Sequence, residues 1–441
     1  MNDAQVILRG ILFLGVLTLV FISQRYWFRQ AWRLKQRVSH AGLRLLLRCI
    51  WLMLLVAVAA PALGTLLGVW PRRLSVLPML GMWLFASLGA WLLIKLVKGT
   101  ERAWEFARTR FAPVLMRRTA HEVSLKNLEN PSRRHFFQTA TYFAGAVPFV
   151  GALYGFAAER LRYTVERVEV PLANLPAALD GLRIVQVSDI HMSAYMSREQ
   201  LRRALEMANG LGAELAVVTG DFITGARDPL EECVEELAAL RAPLGVWGCL
   251  GNHEIYAVCE DRATELLRQV GVRVLRRANA ELVWRGQPLN LIGVDYQRTR
   301  GLDGRRLPML RGVEPLVRRD APNILLSHNP NAFDRAAEMG IEFTLAGHTH
   351  GGQVNVEILE QRLNPARFMT DYIAGLYQRP VTSSQRIATS AAEAAPLAPC
   401  PSCLYVNRGL GTVGAPVRLG APPEITLLTL RRGGARNDDS V

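Results

Sequence analysis

Five short apolar runs in the second half of the chain each end in residues that bind metal ions or move protons. "LRIVQVSDIH" ends in Asp189 and His191, and "ELAVVTGD" ends in Asp221. "GVWGCLGNH" ends in Asn252 and His253, "NILLSH" in His328, and "FTLAGHTH" in His348 and His350. Singly, an Asp after a strand is commonly a turn residue and a lone His is commonly structural. Together the five clusters hold five of the eight histidines of the chain, and coincidence is a poor explanation. The donor set is carboxylate, imidazole and amide oxygen without thiolate, which suits Mn, Fe or Zn at a reactive site over a structural zinc. The donors are too many for one tetrahedral ion. Two ions about 3.5–4 Å apart would need a carboxylate to bridge them.

The elements that must position these residues are legible around them. From about Val168 short β-type runs alternate with helical segments, which predicts an α/β fold with covered sheets. Ser197 with Gln200 reads as a capping box before "LRRALEMANG". Asp228 and Pro229 read as the cap and first residue of "PLEECVEELAAL". In such folds ligands bind beyond the carboxyl ends of the strands, where all five clusters fall.

The order D-x-H, G-D, G-N-H-E, S-H, G-H-T-H resembles the calcineurin-like metallophosphoesterase superfamily, closest to its bacterial membrane-associated or exported branch. The resemblance covers roughly Val168 to Leu430 and implies an α/β/β/α sandwich with a dinuclear metal site. Carried over by motif, Asp189, His191 and His350 would hold one divalent ion, Asn252, His328 and His348 the other, and Asp221 would bridge. His348 and His350 are then expected to alternate along an extended backbone, with Gly351 and Gly352 turning the chain without crowding a substrate. The resemblance also implies attack on phosphorus by a hydroxide bridging the ions, with His253 as the general acid. Glu254 reads as a surface carboxylate first and as support for the site second.

One departure from the family bears on substrate. Where the protein-phosphatase branch has G-D-x-x-D-R-G, this chain reads "GDFITG", with Thr224 and Gly225 in place of Asp-Arg. The carboxylate that would orient the histidine and the arginine that would grip phosphate are missing there, which favours phosphodiester or pyrophosphate hydrolysis. Arg408, in "LYVNRGLG", reads equally as a phosphate contact and as an ion-pair partner.

Charge is divided along the chain. The formal charge is +14, yet residues 1–134 hold 20 of the 52 Lys/Arg and 5 of the 38 Asp/Glu. The excess lies among apolar stretches, a membrane-topology pattern and not a nucleic-acid face. Four stretches approach the roughly 20 apolar residues a bilayer needs: Val6–Ile22, Ile50–Trp70, Leu77–Leu96 and Phe136–Ala157. The basic loops lie between the first two and between the last two. The positive-inside rule therefore predicts residues 1–160 as an anchor of about four helices in a bacterial inner membrane. The domain over 165–431 would lie on the extracytoplasmic side. "SRRHFF" (Ser132–Phe137) resembles a twin-arginine export signal, and an ordinary positive-inside pair explains it as well.

The remaining features are weaker. Residues 381–402 read as a flexible insertion and 432–441 as a disordered tail. Cys400 and Cys403 form a C-P-S-C without a second CxxC, so a local disulfide and two inert thiols both remain open. The function expected is a membrane-anchored phosphoesterase whose partners are membrane lipid and a phosphoester, with a lipid-linked substrate as the first trial. The rivals are a metal-binding module without catalysis and a transporter-associated domain. The spans carry few ionisable residues, which speaks against transport.

Overall fold

The computed structural model describes residues 3–37, 42, 45, 77–116, 131–298, 307–358, 361–368, 370–379, 387–389 and 400–433. The chain divides into two compact units, one of helices ending at Tyr154 and one running from Gly155 to the C-terminus.

The first unit contains α1 (Asp3–Arg37), α2 (Leu77–Met116) and most of α3 (Pro131–Ala157). The indole N–H groups of Trp27 and Trp83 donate to Ser87 O and Gln24 Oε1, joining α1 to α2. Gly89 lets Pro148 of α3 approach α2. Two helices among the described residues are long and apolar enough to cross a membrane, over Met79–Ala107 and Ser132–Leu161. They cover the third and fourth expected spans. The first falls within α1, partly among residues whose side chains are not described, and Ile50–Trp70 lies outside the described residues.

The second unit holds β1 (Thr164–Leu172), β2 (Arg183–Val187), α4 (Arg198–Gly210), β3 (Leu215–Thr219), α5 (Leu230–Leu237) and β4 (Val246–Cys249). Then follow α6 (Asn252–Ala257), α7 (Glu260–Gln269), β5 (Val272–Val274), β6 (Ala278–Trp284), β7 (Gln287–Gly293) and β8 (Asn323–Leu326). The rest comprises α8 (Phe333–Glu338), β9 (Phe343–Ala346), β10 (Val356–Ile358), β11 (Gln361–Leu363), β12 (Gly375–Arg379), β13 (Ile387–Thr389), β14 (Ser402–Val406) and β15 (Glu424–Arg432). One sheet has the order β1-β15-β2-β3-β4-β5 and the other β13-β12-β14-β9-β8-β7-β6, with β10 and β11 forming a separate hairpin.

Strand alternation explains why the five runs are apolar throughout. On one face of the first sheet Ile184, Leu215, Val217 and Trp247 pack against Leu289, Leu291, Ile324, Leu326, Phe343 and Leu345 of the second. On the other face Val185, Val187, Ala216 and Val218 meet Leu201 and Leu205 of α4, Val234 and Leu237 of α5 and Leu267 of α7. Ile292 and Leu325 turn the other way, toward Ala336 of α8. Both faces of the central strands are covered, as parallel strands require. All five runs are strands, and their registers bring the C-terminal ends level: Val187 pairs with Val218, Thr219 with Cys249, and Leu326 with Leu345.

The capping box forms, with Gln200 N–H donating to Ser197 Oγ and Ser197 N–H to Gln200 Oε1. Asp228 differs from expectation, because its carboxylate turns back to accept from Thr224 and Gly225 N–H, and α5 starts after Pro229. Parts of the 381–402 segment form described structure. Ile387–Thr389 pairs with β12, Cys400 bridges to Leu172, and Ser402 opens β14. Residues 380–386, 390–399 and 434–441 lie outside the described residues, and Arg432, the first residue of the expected tail, closes β15. Cys400 and Cys403 are joined by a disulfide and both are buried.

Candidate metal centre

Each candidate ligand sits just past a strand end, and most sit on unusual backbone. Asp189, His191, Asp221, His348 and His350 all have φ between 48° and 75°. The left-handed region costs a non-glycine residue about 1–3 kcal/mol and persists where surrounding structure imposes it, often at functional sites. Here the reversal turns each side chain back over the strand ends. The expectation of an extended backbone from His348 to His350 is therefore corrected: β9 ends at Ala346, and His350 opens a short 3₁₀ turn. Gly351 and Gly352 do turn the chain, at φ 60° and 81°, but a Cβ there would meet Arg408 and Asn364.

The donors converge in three overlapping groups: Asp189, His191 and His350; His191, Asp221 and His253; and Asp221, His328 and His348. Asp221 Oδ2 lies 3.4 Å from His191 Nε2 and 3.0 Å from His328 Nε2. Asp189 Oδ1 lies 3.4 Å from His350 Nε2 and 3.9 Å from His328 Nε2. The carboxylates are braced from behind. Ser188 Oγ donates to Asp189 Oδ2 at 2.6 Å, Thr219 Oγ1 donates to Ser188, and Gln186 Nε2 donates to Thr219 and to Ala346 O across the sandwich. Asp221 Oδ1 accepts His253 N–H at 2.9 Å, and a Cβ on Gly251 would fall 2.1 Å from that oxygen.

Tautomers follow from geometry. His328 Nδ1 is 2.6 Å from Thr219 O and His253 Nδ1 is 2.7 Å from Thr224 O. A carbonyl only accepts, so both Nδ1 atoms carry hydrogen and leave Nε2 for the site. His328 Nε2 then directs its lone pair at two carboxylates, which requires a cation between them. Burial alone would lower the His328 pKa, but Asp221 and Asp189 raise it to about 10. Burial would raise Asp221, yet His328 and His191 hold it well below the usual carboxylate range. Burial, then His328, depresses His348 to about 3, and burial with His191 depresses His350. Both are neutral imidazoles, the ligating form. Asn252 Oδ1 and His191 Nε2 are buried without a hydrogen-bond partner. Buried orphaned donors around paired carboxylates fit divalent cations.

Glu254 and Thr224 behave otherwise than the sequence suggested, and Arg408 takes one of its two expected roles. Glu254 is fully buried, accepting N–H from Asp221, Phe222 and Gly251 at 3.1, 2.8 and 2.8 Å. The surface reading fails because Glu254 lies on the inner side of α6, under the turn that carries Asp221. Thr224 supplies, with its backbone carbonyl, the orienting contact to His253 for which a carboxylate was missed. Arg408 pairs with Glu166 and Glu424, so it is held as an ion-pair partner. A residue the sequence reading passed over is Arg418. It is fully buried, forms no ion pair among the described residues, and donates to the carbonyls of Arg408, Gly409, Gly411 and Ala421. Gly411 N–H in turn donates to Asp189 O, so Arg418 fixes the wall behind Asp189. No sequence signal singled it out.

Residues 182–352 match the calcineurin-like phosphoesterase family. The chain is 30% identical over 304 residues to the transmembrane protein with metallophosphoesterase domain of Danio rerio, covering 66% of this chain and 63% of that protein. It is 29% identical over 312 residues to the uncharacterized metallophosphoesterase YkuE of Bacillus subtilis, covering 69% of this chain and 99% of YkuE. It is 28% identical over 304 residues to the UDP-2,3-diacylglucosamine pyrophosphatase LpxG of Chlamydia trachomatis, covering 58% of this chain and 86% of LpxG. The chain thus spans less than two thirds of the Danio rerio relative, and 57% of the Bos taurus protein of the same name.

Proposed function

We propose that the chain, whose residues 182–352 match the calcineurin-like phosphoesterases, is a membrane-anchored hydrolase of phosphodiester or pyrophosphate bonds in a lipid- or envelope-linked substrate. The observation that carries this reading is the position of Asp221 Oδ2, within 3.4 Å of His191 Nε2 and 3.0 Å of His328 Nε2, with His253 beside it. Asp189, His191 and His350 would hold one ion, Asn252, His328 and His348 a second, and Asp221 would serve both. When bound there, divalent ions (Mn, Zn or Fe by donor type) would supply a nucleophile at neutral pH and offset charge on the phosphoryl oxygens.

The chain's own residues do the rest. His253 Nδ1–H is held by Thr224 O, so Nε2 faces the substrate and, when protonated, delivers its proton to the departing oxygen. Burial lowers the His253 pKa more than Asp221 raises it, which works against the acid form, and the negative charge of a bound phosphate would work for it. Glu254 fixes the Asp221 turn, and the Gln186–Thr219–Ser188 chain fixes Asp189.

The substrate side of the reading rests on three supports. The Asp-Arg pair of the phosphoprotein branch is absent. Two helices are apolar enough to cross a membrane, and relatives are named transmembrane proteins. LpxG is named for cleaving a pyrophosphate on a diacylated sugar nucleotide. The Cys400–Cys403 disulfide favours an oxidising compartment, in agreement with the charge-based topology that puts the domain outside the membrane. The test is a panel of phosphomonoesters, phosphodiesters and pyrophosphates with Mn, Zn, Fe and Mg on the detergent-solubilised protein. Metal-dependent turnover of diesters or pyrophosphates, with lipid-bearing forms preferred over soluble headgroup analogues, is expected. Turnover of monoesters alone would sink the reading.

A further inference from the structure

We propose that Tyr256 and Val258 form an apolar lip that takes the lipid portion of the substrate where His253 protonates the leaving group; this rests on the hydrolase reading above. The segment 252–258 carries the candidate ligand Asn252, the acid His253 and the buried Glu254, and then two largely exposed side chains, Tyr256 and Val258. Tyr256 lies one helical turn beyond His253, with ring centroids 5.5 Å apart, and is 57% exposed. His253 presents Nε2 to the substrate, so a leaving group receiving its proton passes the Tyr256 ring.

Val258 is the stronger signal. It caps the C-terminal end of α6 at φ 52°, ψ 49° and is 86% exposed. This left-handed cap position favours glycine, or asparagine second. A β-branched residue at positive φ is a genuine outlier, and Val258 is the one such case among the described residues. An isolated exposed apolar side chain ordinarily needs no explanation. Here the backbone conformation disfavours valine and the exposed side chain gains no burial, so neither local propensity nor packing accounts for it. The candidate ligands at positive φ bring polar atoms to the centre. Val258 has none to bring, and apolar surface is all it can offer. Tyr256, two residues earlier, stands in edge contact with the His253 ring.

The occupant that fits is an alkyl or acyl chain attached through the leaving group. It would bury apolar surface that the free enzyme leaves in water, worth about tenfold in kcat/KM for one partly covered side chain. The test uses full-length protein in detergent micelles with lysophosphatidylglycerol and its headgroup analogue glycerophosphoglycerol as probes. Val258→Gly relieves the backbone, so Tm should hold or rise while the lipid-to-headgroup ratio of kcat/KM falls about tenfold. Tyr256→Ala should lower the same ratio with metal content intact, and Tyr256→Phe should retain it. A wild-type preference for the lipid probe that survives both Val258→Gly and Tyr256→Ala would overturn the lip and leave the hydrolase reading standing. Equal losses on both probes would move these residues to headgroup contact and overturn it too. A wild-type ratio of one would refute the lipid substrate itself, and the lip with it.

Discussion

Asp221 Oδ2 lies 3.0 Å from His328 Nε2, and the two residues follow strands of different sheets, β3 and β8. The contact therefore joins the two halves of the sandwich at its chemical end. It also fixes what substitution of Asp221 should do. Asp221→Asn removes the negative charge that both donor groups share. Turnover should vanish and metal content should fall from two ions toward one, a larger loss than for any single histidine. Two tightly held ions with a near-normal rate, by metal analysis and assay, would refute the dinuclear arrangement.

His253→Ala should leave metal content unchanged and lower the rate by about 10²–10⁴, the usual worth of general acid catalysis. The loss should shrink with nitrophenolate leaving groups, which need little protonation. The proton must be on Nε2, so activity on alkoxide leaving groups should decline as pH rises through the His253 pKa. His253→Ala should abolish that decline. An equal loss for both leaving-group types would assign His253 another role.

Glu254 is predicted to matter although it is no candidate metal ligand. Its carboxylate accepts three backbone N–H groups around Asp221, and Glu254→Ala would leave them buried and unsatisfied. The cost should be at least about 2 kcal/mol, with weaker metal retention. Glu254→Gln should recover part of the stability. Unchanged Tm and metal content in Glu254→Ala would refute this support.

Arg418→Met should act on one donor group in preference to the other. Loss of the guanidinium frees the carbonyls of the 408–411 loop, which backs Asp189, while Asp221, His328 and His348 keep their supports. Metal titration should show one weakened site and one near normal. Uniform weakening of both would make Arg418 a general stabiliser.

Topology is testable by reporter fusions. Fusions after Arg37 and Arg118 should report cytoplasm, and fusions after Leu74 and Ala158 the external side. Arg133→Lys with Arg134→Lys should block export if the twin-arginine reading of that pair holds. An external reporter at Arg118 would invert the arrangement and place the disulfide in a reducing compartment.

The residues of the candidate site were legible in the sequence because each follows an apolar run, and such runs are strands whichever sheet they join. Asp189, His191, Asp221, Asn252, His253, His328, His348 and His350 could all be named that way, as could the α/β class, since alternation depends on local chain order. What surrounds them was not legible. Glu254 looks like any helix carboxylate until α6 turns it inward beneath Asp221. The orienting contact to His253 comes from the carbonyl of Thr224, a group that every residue type possesses, so no side-chain motif can encode it. Arg418 lies far along the chain from Asp189, and only the antiparallel pairing of β15 with β2, together with the 408–411 loop that packs on Asp189, brings them together. The left-handed backbone at five candidate ligands was likewise beyond reach. Asp and His tolerate it better than most side chains, but it is held here by contacts between strand ends that exist only once both sheets have closed on their common core.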